Sequence, residues 1–390
     1  MAVGEGIFTS FFYIFTGAAA AATCAMFGRQ PLLVAYIALG VLFGPHGLGL
    51  IQDVAPMADI ATVGIIFLLF LLGLDMQPQA LAAVFREAAP VTLASSLLFG
   101  LLGYLAALPF GFGHLESLVV GAAMMFSSTI IGIKLLPTTV LHHRHAGELM
   151  VGLLLMQDFI AIFVLMLLLA GEGGSVDLWR IARTLVAAPL LVGFCALAVR
   201  FALLPLFARF DRVSEYVFLL AIGWCLGVSE LAALLGLSHE IGAFLAGITI
   251  ATSPFAQYIA LSLKPLRDFF LILFFFSIGA RFDLALLPQV LAPALLLGVG
   301  MLLVKPVTFY LLLRKQSEHR RLAWDLGFRL GQISEFSLLI AFVAEANGLI
   351  GAAASLLIQA ATLLTFLVSS YIVVFNFPNP IAPSERLRRD

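Results

Sequence analysis

Asp158 stands about halfway along the apolar run from Glu148 to Ala170, within Leu153-Leu154-Leu155-Met156-Gln157-Asp158-Phe159-Ile160. A carboxylate near the middle of a bilayer costs several kcal/mol unless it binds a proton, a cation or a partner charge. Asp158 is therefore a functional site by default. Lys305, in Met301-Leu302-Leu303-Val304-Lys305-Pro306, poses the same problem with the opposite sign. The basic loop at Arg314 begins nine residues later, about 13 Å of helix, too far for easy snorkelling to water. Its ammonium needs a buried partner, and Asp158 is the candidate; a purely structural ion pair is the plainer alternative. Pro306 removes a backbone hydrogen bond and should bend the helix there.

Two further apolar runs carry small polar residues at their centres. One holds Ser127, Ser128 and Thr129, and the other Gly331, Gln332, Ser334 and Glu335. Unwound backbone at membrane depth is tolerated where it is buried in protein and lines a cavity, and the half-helix ends then present dipoles to an ion. Close packing of helices through small residues is the competing explanation. Glu230 and Glu335 lie in apolar surroundings that suit either a path lining or a pair with Arg329. Asp75 and Arg281 fall at helix ends and suit an interfacial role. His142, His143 and His145, with Arg144, fit a solvated loop, with pH sensing or metal binding as the sharper reading. Cys24, Cys195 and Cys225 lack CxxC spacing and read as packing residues.

These residues must be positioned by membrane helices. With 62% hydrophobic and 11% charged residues, and a mean hydropathy of +1.10, the 390-residue chain has too little polar surface for a water-soluble domain. The pattern predicts an all-α polytopic membrane protein of about thirteen spans. These are residues 6–26, 30–50, 54–74, 89–110, 115–137, 146–170, 178–207, 214–236, 239–255, 260–280, 288–313, 321–345 and 349–375. The alternating strands of a transmembrane barrel are absent from the sequence.

Arg29, Arg86, Lys134, Arg144, Arg209, Arg212, Lys264, Arg267, Arg314, Lys315, Arg320 and Arg321 fall in loops of one side, joined by Arg386, Arg388 and Arg389. Arg180, Arg183 and Arg281 are the exceptions. Basic loops stay cytoplasmic, which predicts an outside N-terminus and an inside C-terminus. Met1 to Gly6 has no Lys or Arg, so the first span reads as a retained helix rather than a signal peptide. The net charge of −1, with no basic run, gives no nucleic-acid footprint. His239-Glu240 fails HExxH at Ala243, and no Walker loop, Rossmann fingerprint or TVGYG-like filter occurs. Nothing points to an enzyme or a cofactor.

The chain also resembles itself at an offset of about 207 residues. Tyr36-Ile37-Ala38-Leu39-Gly40 matches Phe244-Leu245-Ala246-Gly247, and Phe70 to Asp75 matches Phe276 to Arg281. The same offset brings Ser127-Ser128-Thr129 onto Ser334-Glu335-Phe336 and Asp158 onto Thr365. Spans 2 to 6 and 9 to 13 would then be repeats of opposite topology, an architecture of secondary transporters.

Four motifs carry a family resemblance. They are Ser127-Ser128-Thr129, Gln157-Asp158, Lys305 with Tyr310-Leu311-Leu312-Leu313-Arg314, and Gly331-Gln332-Ile333-Ser334-Glu335-Phe336. Gly40 to Pro45 and Gly242 to Gly247 support them. Together they resemble the monovalent cation:proton antiporter-2 family, most closely the membrane domain of Kef-type potassium/proton antiporters. The resemblance implies an elevator-type antiporter, usually a homodimer in a bacterial-type inner membrane, with two crossing broken helices. It implies scaffold and dimerisation helices over 1–75 and 214–282, ion-binding core helices over 88–170 and 288–375, a linker helix over 177–208 and a cytoplasmic tail over 376–390.

Carried over residue by residue, Asp158 is the proton and cation carboxylate, Gln157 its neutral neighbour and Lys305 the competing internal cation. Ser127, Ser128, Thr129, Ser334 and Glu335 belong to the crossing helices, with Glu230 as an accessory candidate. Two departures from the family pattern stand out. Ile333-Ser334 replaces a common glycine pair, and the cytosolic nucleotide-binding regulatory domain of many Kef-type chains does not follow before Asp390. A truncated chain and a member without that control both fit.

The expected activity is exchange of one monovalent cation for one proton at Asp158, with Asp158, Gln157, Ser128 and Thr129 as candidate ligands of the cation. A single acid suggests electroneutral exchange. A neutral Gln157 oxygen gives a softer field than a second carboxylate, which favours K⁺ over the more strongly hydrated Na⁺. Na⁺/H⁺ antiport on the same scaffold is the alternative. A ligand-gated potassium channel and a non-transporting membrane sensor are readings of another class.

Overall fold

The computed structural model of the chain describes residues 2–52, 54–75, 78–128, 145–170, 178–210, 212–235, 237, 239–316 and 318–378. Thr129, the loop with Lys134, His142, His143 and Arg144, and residues 379–390 lie outside the described residues. So do the side chains of Asp75, Arg86, His145, Arg180 and Arg183.

In hydrocarbon every backbone N–H and C=O must find a partner within the protein, and a helix provides those partners locally. Among the described residues the regular structure is helical throughout. The chain begins with α1 (Ala2–Phe27), α2 (Leu32–Phe43), α3 (Ala55–Asp75), α4 (Pro78–Ala107), α5 (His114–Met124) and α6 (His145–Ala170). It continues with α7 (Leu178–Ala198), α8 (Leu204–Phe210), α9 (Ser214–Leu234), α10 (His239–Ala251) and α11 (Ala256–Ala280). It closes with α12 (Leu287–Lys315), α13 (Arg320–Arg329), α14 (Glu335–Ala346) and α15 (Ala352–Asn376). Among the described residues, six helices are long and apolar enough to cross a membrane. They are Gly6–Phe27, Ala88–Phe110, Pro189–Phe210, Ser214–Leu234, Leu287–Lys315 and Ala352–Asn376.

Two of the expected spans are interrupted. α5 stops at Met124 and the backbone from Phe126 to Ser128 is no longer helical. Between α13 and α14 the residues Gly331 to Ser334 are likewise unwound. The span expected over 178–207 runs to Phe210, but through a π-helical turn, Val199–Leu203. Pro205 follows it, and its missing N–H breaks the regular ladder just there.

The chain forms two compact units. The first comprises Met1–Gln52, Ala83–Leu168 and Ile278–Asp390, and the second Asp53–Ala82 and Leu169–Ser277. Within the second, α3 packs on α10, which also meets α7 and α9. Small residues allow the α3 contact, because a Cβ on Gly247 would stand 2.2 Å from the Phe70 carbonyl oxygen. Within the first, α12 packs against α13 and α15, while α14 packs against α5 and α15.

Close backbone approaches fix the first unit around its interrupted helices. A Cβ on Gly121 of α5 would meet the Gly100 carbonyl of α4 at 2.4 Å, and one on Gly327 of α13 would meet the Pro306 carbonyl of α12 at 2.7 Å. Any residue larger than glycine would separate these helices. At the far end of α5, the Glu116 carboxylate accepts from Gly113 N at 3.1 Å and from Gly351 N at 3.0 Å. One side chain thus satisfies donors at the starts of both α5 and α15, where a negative charge also suits the helix dipoles.

Gly327→Ala should push α13 from the Lys305–Pro306 turn and cost about 1–3 kcal/mol through overpacking. The check is the thermal midpoint of detergent-purified protein, which should fall. Gly223→Ala, where no atom lies within 4 Å of the added Cβ, should leave it unchanged or slightly higher.

Candidate functional site

α6 is 26 residues long, about 39 Å, and Gln157 and Asp158 lie at its centre with 1% exposure each. Burial at that depth is what the apolar run around them dictates. Gln157 reaches the first interruption, its Oε1 accepting from Ser127 N at 2.9 Å. That bond sets the amide orientation, because only the oxygen can accept from a backbone N–H. The Gln157 Nε2 is buried and has no hydrogen-bond partner among the described residues.

The two interruptions are bonded directly to each other. Ser127 Oγ donates to the Leu330 carbonyl at 2.8 Å. Gln332 Nε2 donates to the Ser128 carbonyl at 3.3 Å, and Ser337 Oγ of α14 donates to the Ala123 carbonyl in the last turn of α5. α15 holds the second interruption from the other side. Its Thr365 Oγ1 accepts from Ile333 N at 3.0 Å, and its Ser369 Oγ donates to Gln332 Oε1 at 3.1 Å. Ser334 caps α14, its Oγ accepting from Phe336 N at 3.1 Å. Glu335 follows in the first helical turn, buried, where an acid faces the positive end of the helix dipole.

Lys305 is fully buried. Sequence reasoning expected it to pair with Asp158. Among the described residues its ammonium instead donates to the Phe126 carbonyl and, at 3.2 Å, to the Gln332 carbonyl, with the Phe99 ring 5.1 Å away. The physical reason is the unwinding itself. Helix interruptions release carbonyls that carry the negative end of the peptide dipole, and charge-assisted bonds to two of them, one from each interruption, satisfy a buried cation.

Two further charges have partners close by. Glu230, near the C-terminal end of α9, has a side chain that is 67% exposed and lies 3.2 Å from His239 Nε2, within the second unit. Arg329 is buried at the end of α13. That residue donates to Asp325 Oδ1 at 2.8 Å, one turn earlier on α13, and to the Pro378 carbonyl at 2.7 Å. A carboxylate one helical turn away is the cheapest partner for a buried guanidinium.

Ser127, Ser128, Gln157, Asp158, Lys305, Ser334 and Glu335 therefore all lie in the first unit, and direct bonds tie Gln157, Ser127, Ser128 and Lys305 into one network. The site residues taken from the sequence placed Gln332 in the second interruption without a role of its own and omitted Ser337, Thr365 and Ser369 from this cluster. A signal for the last two existed: Thr362, Thr365 and Ser369 recur at helical spacing in an otherwise apolar span. Chemically, the arrangement offers buried backbone and amide oxygens from two helix interruptions, with the buried acids Asp158 and Glu335 in the same unit. Among the described residues no group of three or more His, Cys, Asp and Glu side chains is placed to hold a metal.

The sodium/hydrogen exchanger transmembrane family matches residues 11–376. The chain is 30% identical over 348 residues to the iron transporter MagA of Paramagnetospirillum magneticum, covering 88% of this chain and 79% of MagA. It is 30% identical over 355 residues to K(+) efflux antiporter 4 of Arabidopsis thaliana, covering 87% of this chain and 59% of that protein. For K(+) efflux antiporter 5 of the same plant the identity is 28% over 323 residues, covering 80% and 56%. The chain thus spans a little over half the length of the two plant relatives. With its family match, its apolar helices and its Kef-like motifs, this chain belongs to the sodium/hydrogen exchanger transmembrane family, integral membrane cation:proton antiporters rather than enzymes.

Proposed function

We propose that this protein exchanges a monovalent cation, K⁺ in preference to Na⁺, for a proton at Asp158. The observation that carries this reading is the burial of Asp158 at the centre of α6, beside an amide that is bonded to one helix interruption. Protonation neutralises the carboxylate, and a bound alkali cation does the same. Both loaded forms can then cross a low-dielectric barrier that the bare anion cannot. One acid gives one charge exchanged for one charge.

The position of Lys305 refines its part. It occupies carbonyl oxygens that an alkali cation would also seek, so it competes for those oxygen ligands. Gln157 Oε1 keeps a second lone pair after accepting from Ser127 N, which leaves it available as a neutral ligand. Ser128 and Thr129 complete the proposed cation set, and Ser127, Ser334 and Glu335 shape the interruptions.

Alternating access follows an elevator scheme in this proposal. The core is 88–170 with 288–375, the scaffold and dimer contact 1–75 with 214–282, and the linker 177–208. The N-terminus is outside and the C-terminus cytoplasmic, in a cell membrane of bacterial inner-membrane type. An inverted repeat is supported by matching bonds at the two interruptions: Ser127 N reaches a side chain of α6, and Ile333 N reaches one of α15. The names of the two plant relatives favour K⁺ as the exchanged ion. Cytosolic regulation through a further domain is an added proposal from the Kef-type resemblance.

Asp158→Asn in proteoliposomes should reduce cation-driven proton movement to that of protein-free vesicles; retained exchange removes Asp158 from the mechanism. Gln157→Asp should change the K⁺ to Na⁺ preference by about fivefold or make transport respond to a voltage clamp, because a second carboxylate strengthens the field and can carry another proton. Unchanged preference together with voltage-independent flux would leave the selectivity role of Gln157 without support.

A further inference from the structure

Four atoms of the unwound stretch Phe126–Ser128 are held by side chains or by the other interruption. The Phe126 carbonyl takes Lys305, Ser127 N takes the Gln157 oxygen, Ser127 Oγ takes the Leu330 carbonyl, and the Ser128 carbonyl takes Gln332 Nε2. Two amides therefore grip adjacent residues with opposite polarity, an acceptor on a backbone N–H and a donor on a backbone C=O. Gln157 lies on α6 beside the acid, whereas Gln332 belongs to the second interruption and is fully buried.

Gln332 is fixed at both ends of its amide, by Ser128 and by Ser369 of α15. Its backbone carbonyl also takes Lys305. A single residue thus links the end of α5, the α13–α14 interruption, α15 and the buried cation. The side-chain bond to Ser128 is neutral and, at 3.3 Å, the longest of the bonds between the two interruptions.

We infer that Gln332, oriented by Ser369, is a specificity-determining residue that sets the direction and stiffness of the Ser128 carbonyl and so the size of alkali cation the site accepts. This rests on the cation-exchange reading and names a determinant outside Gln157-Asp158. Discrimination among alkali cations depends on the number, field and freedom of the oxygens that replace water. A carbonyl tied to a buried, doubly bonded amide approaches an ion along one direction. Released from that amide, it can follow ions of different radius.

The test is transport by purified full-length protein in proteoliposomes, with KM and turnover measured separately for K⁺, Na⁺ and Li⁺. Gln332→Asn keeps the amide but is one carbon–carbon bond shorter, about 1.5 Å, and cannot span Ser128 and Ser369 together. Ser369→Ala leaves Gln332 intact and removes only its orienting donor. Both should change the ratio of the K⁺ and Na⁺ KM values by about threefold or more, in the same direction, by altering ligand freedom. The pH dependence of proton movement should stay as in the unaltered protein. Equal loss of turnover for all three ions, or KM ratios within about twofold of the original in Ser369→Ala, overturns the assignment. Ser369→Ala alone decides the matter if Gln332→Asn does not fold. Asp158→Asn measured alongside separates the two levels: an inert Asp158→Asn with unmoved ratios sinks only the role of Gln332, whereas an active one sinks the exchange reading beneath it.

Discussion

Unwound backbone inside a membrane must still have its polar groups satisfied. An unsatisfied carbonyl or N–H in hydrocarbon costs several kcal/mol, and water is not at hand to relieve it. This requirement organises the first unit. The Phe126, Ser128, Leu330 and Gln332 carbonyls each receive a donor, and the N–H groups of Ser127 and Ile333 each find a side-chain acceptor. Most of these bonds cross from one helix element to another. Local unwinding is thereby converted into tertiary cohesion.

Lys305 shows how the same requirement redistributes charge. A buried ammonium needs compensation, and the sequence offers Asp158 as the nearest opposite charge in kind. The helix interruptions offer a different solution, because their free carbonyls are partial negative charges already held in place. The glycine contact between α13 and Pro306 makes the solution geometrically possible, bringing the α12 backbone against the helix that leads into the second interruption.

α15 has a comparable supporting part. Its apolar face could have packed in the unit without polar atoms, yet Thr365 and Ser369 meet the second interruption and Glu116 holds its first turn to the start of α5. Polar side chains in membrane helices are worth modest energies singly. Here they fix direction, which matters wherever carbonyl oxygens face an ion. Arg329 closes α13 just before the second interruption, bonded to Asp325 and to the backbone at Pro378.

Much of this was legible in the sequence. Hydropathy placed helices at Leu287–Lys315 and Ala352–Asn376 nearly to the residue, since span length follows bilayer thickness. Serine and glycine clusters located both interruptions, although residue type alone left close helix packing as an equal use for them. Asp158 declared itself by charge alone. Partner choice was not legible: Glu230 meets His239, and Lys305 takes backbone carbonyls from two interruptions. Residue type and spacing determine where helices form and which groups are costly to bury. Only the tertiary structure decides which distant oxygen or nitrogen meets each of those groups, because backbone carbonyls are present at every position and carry no letter of their own in the sequence.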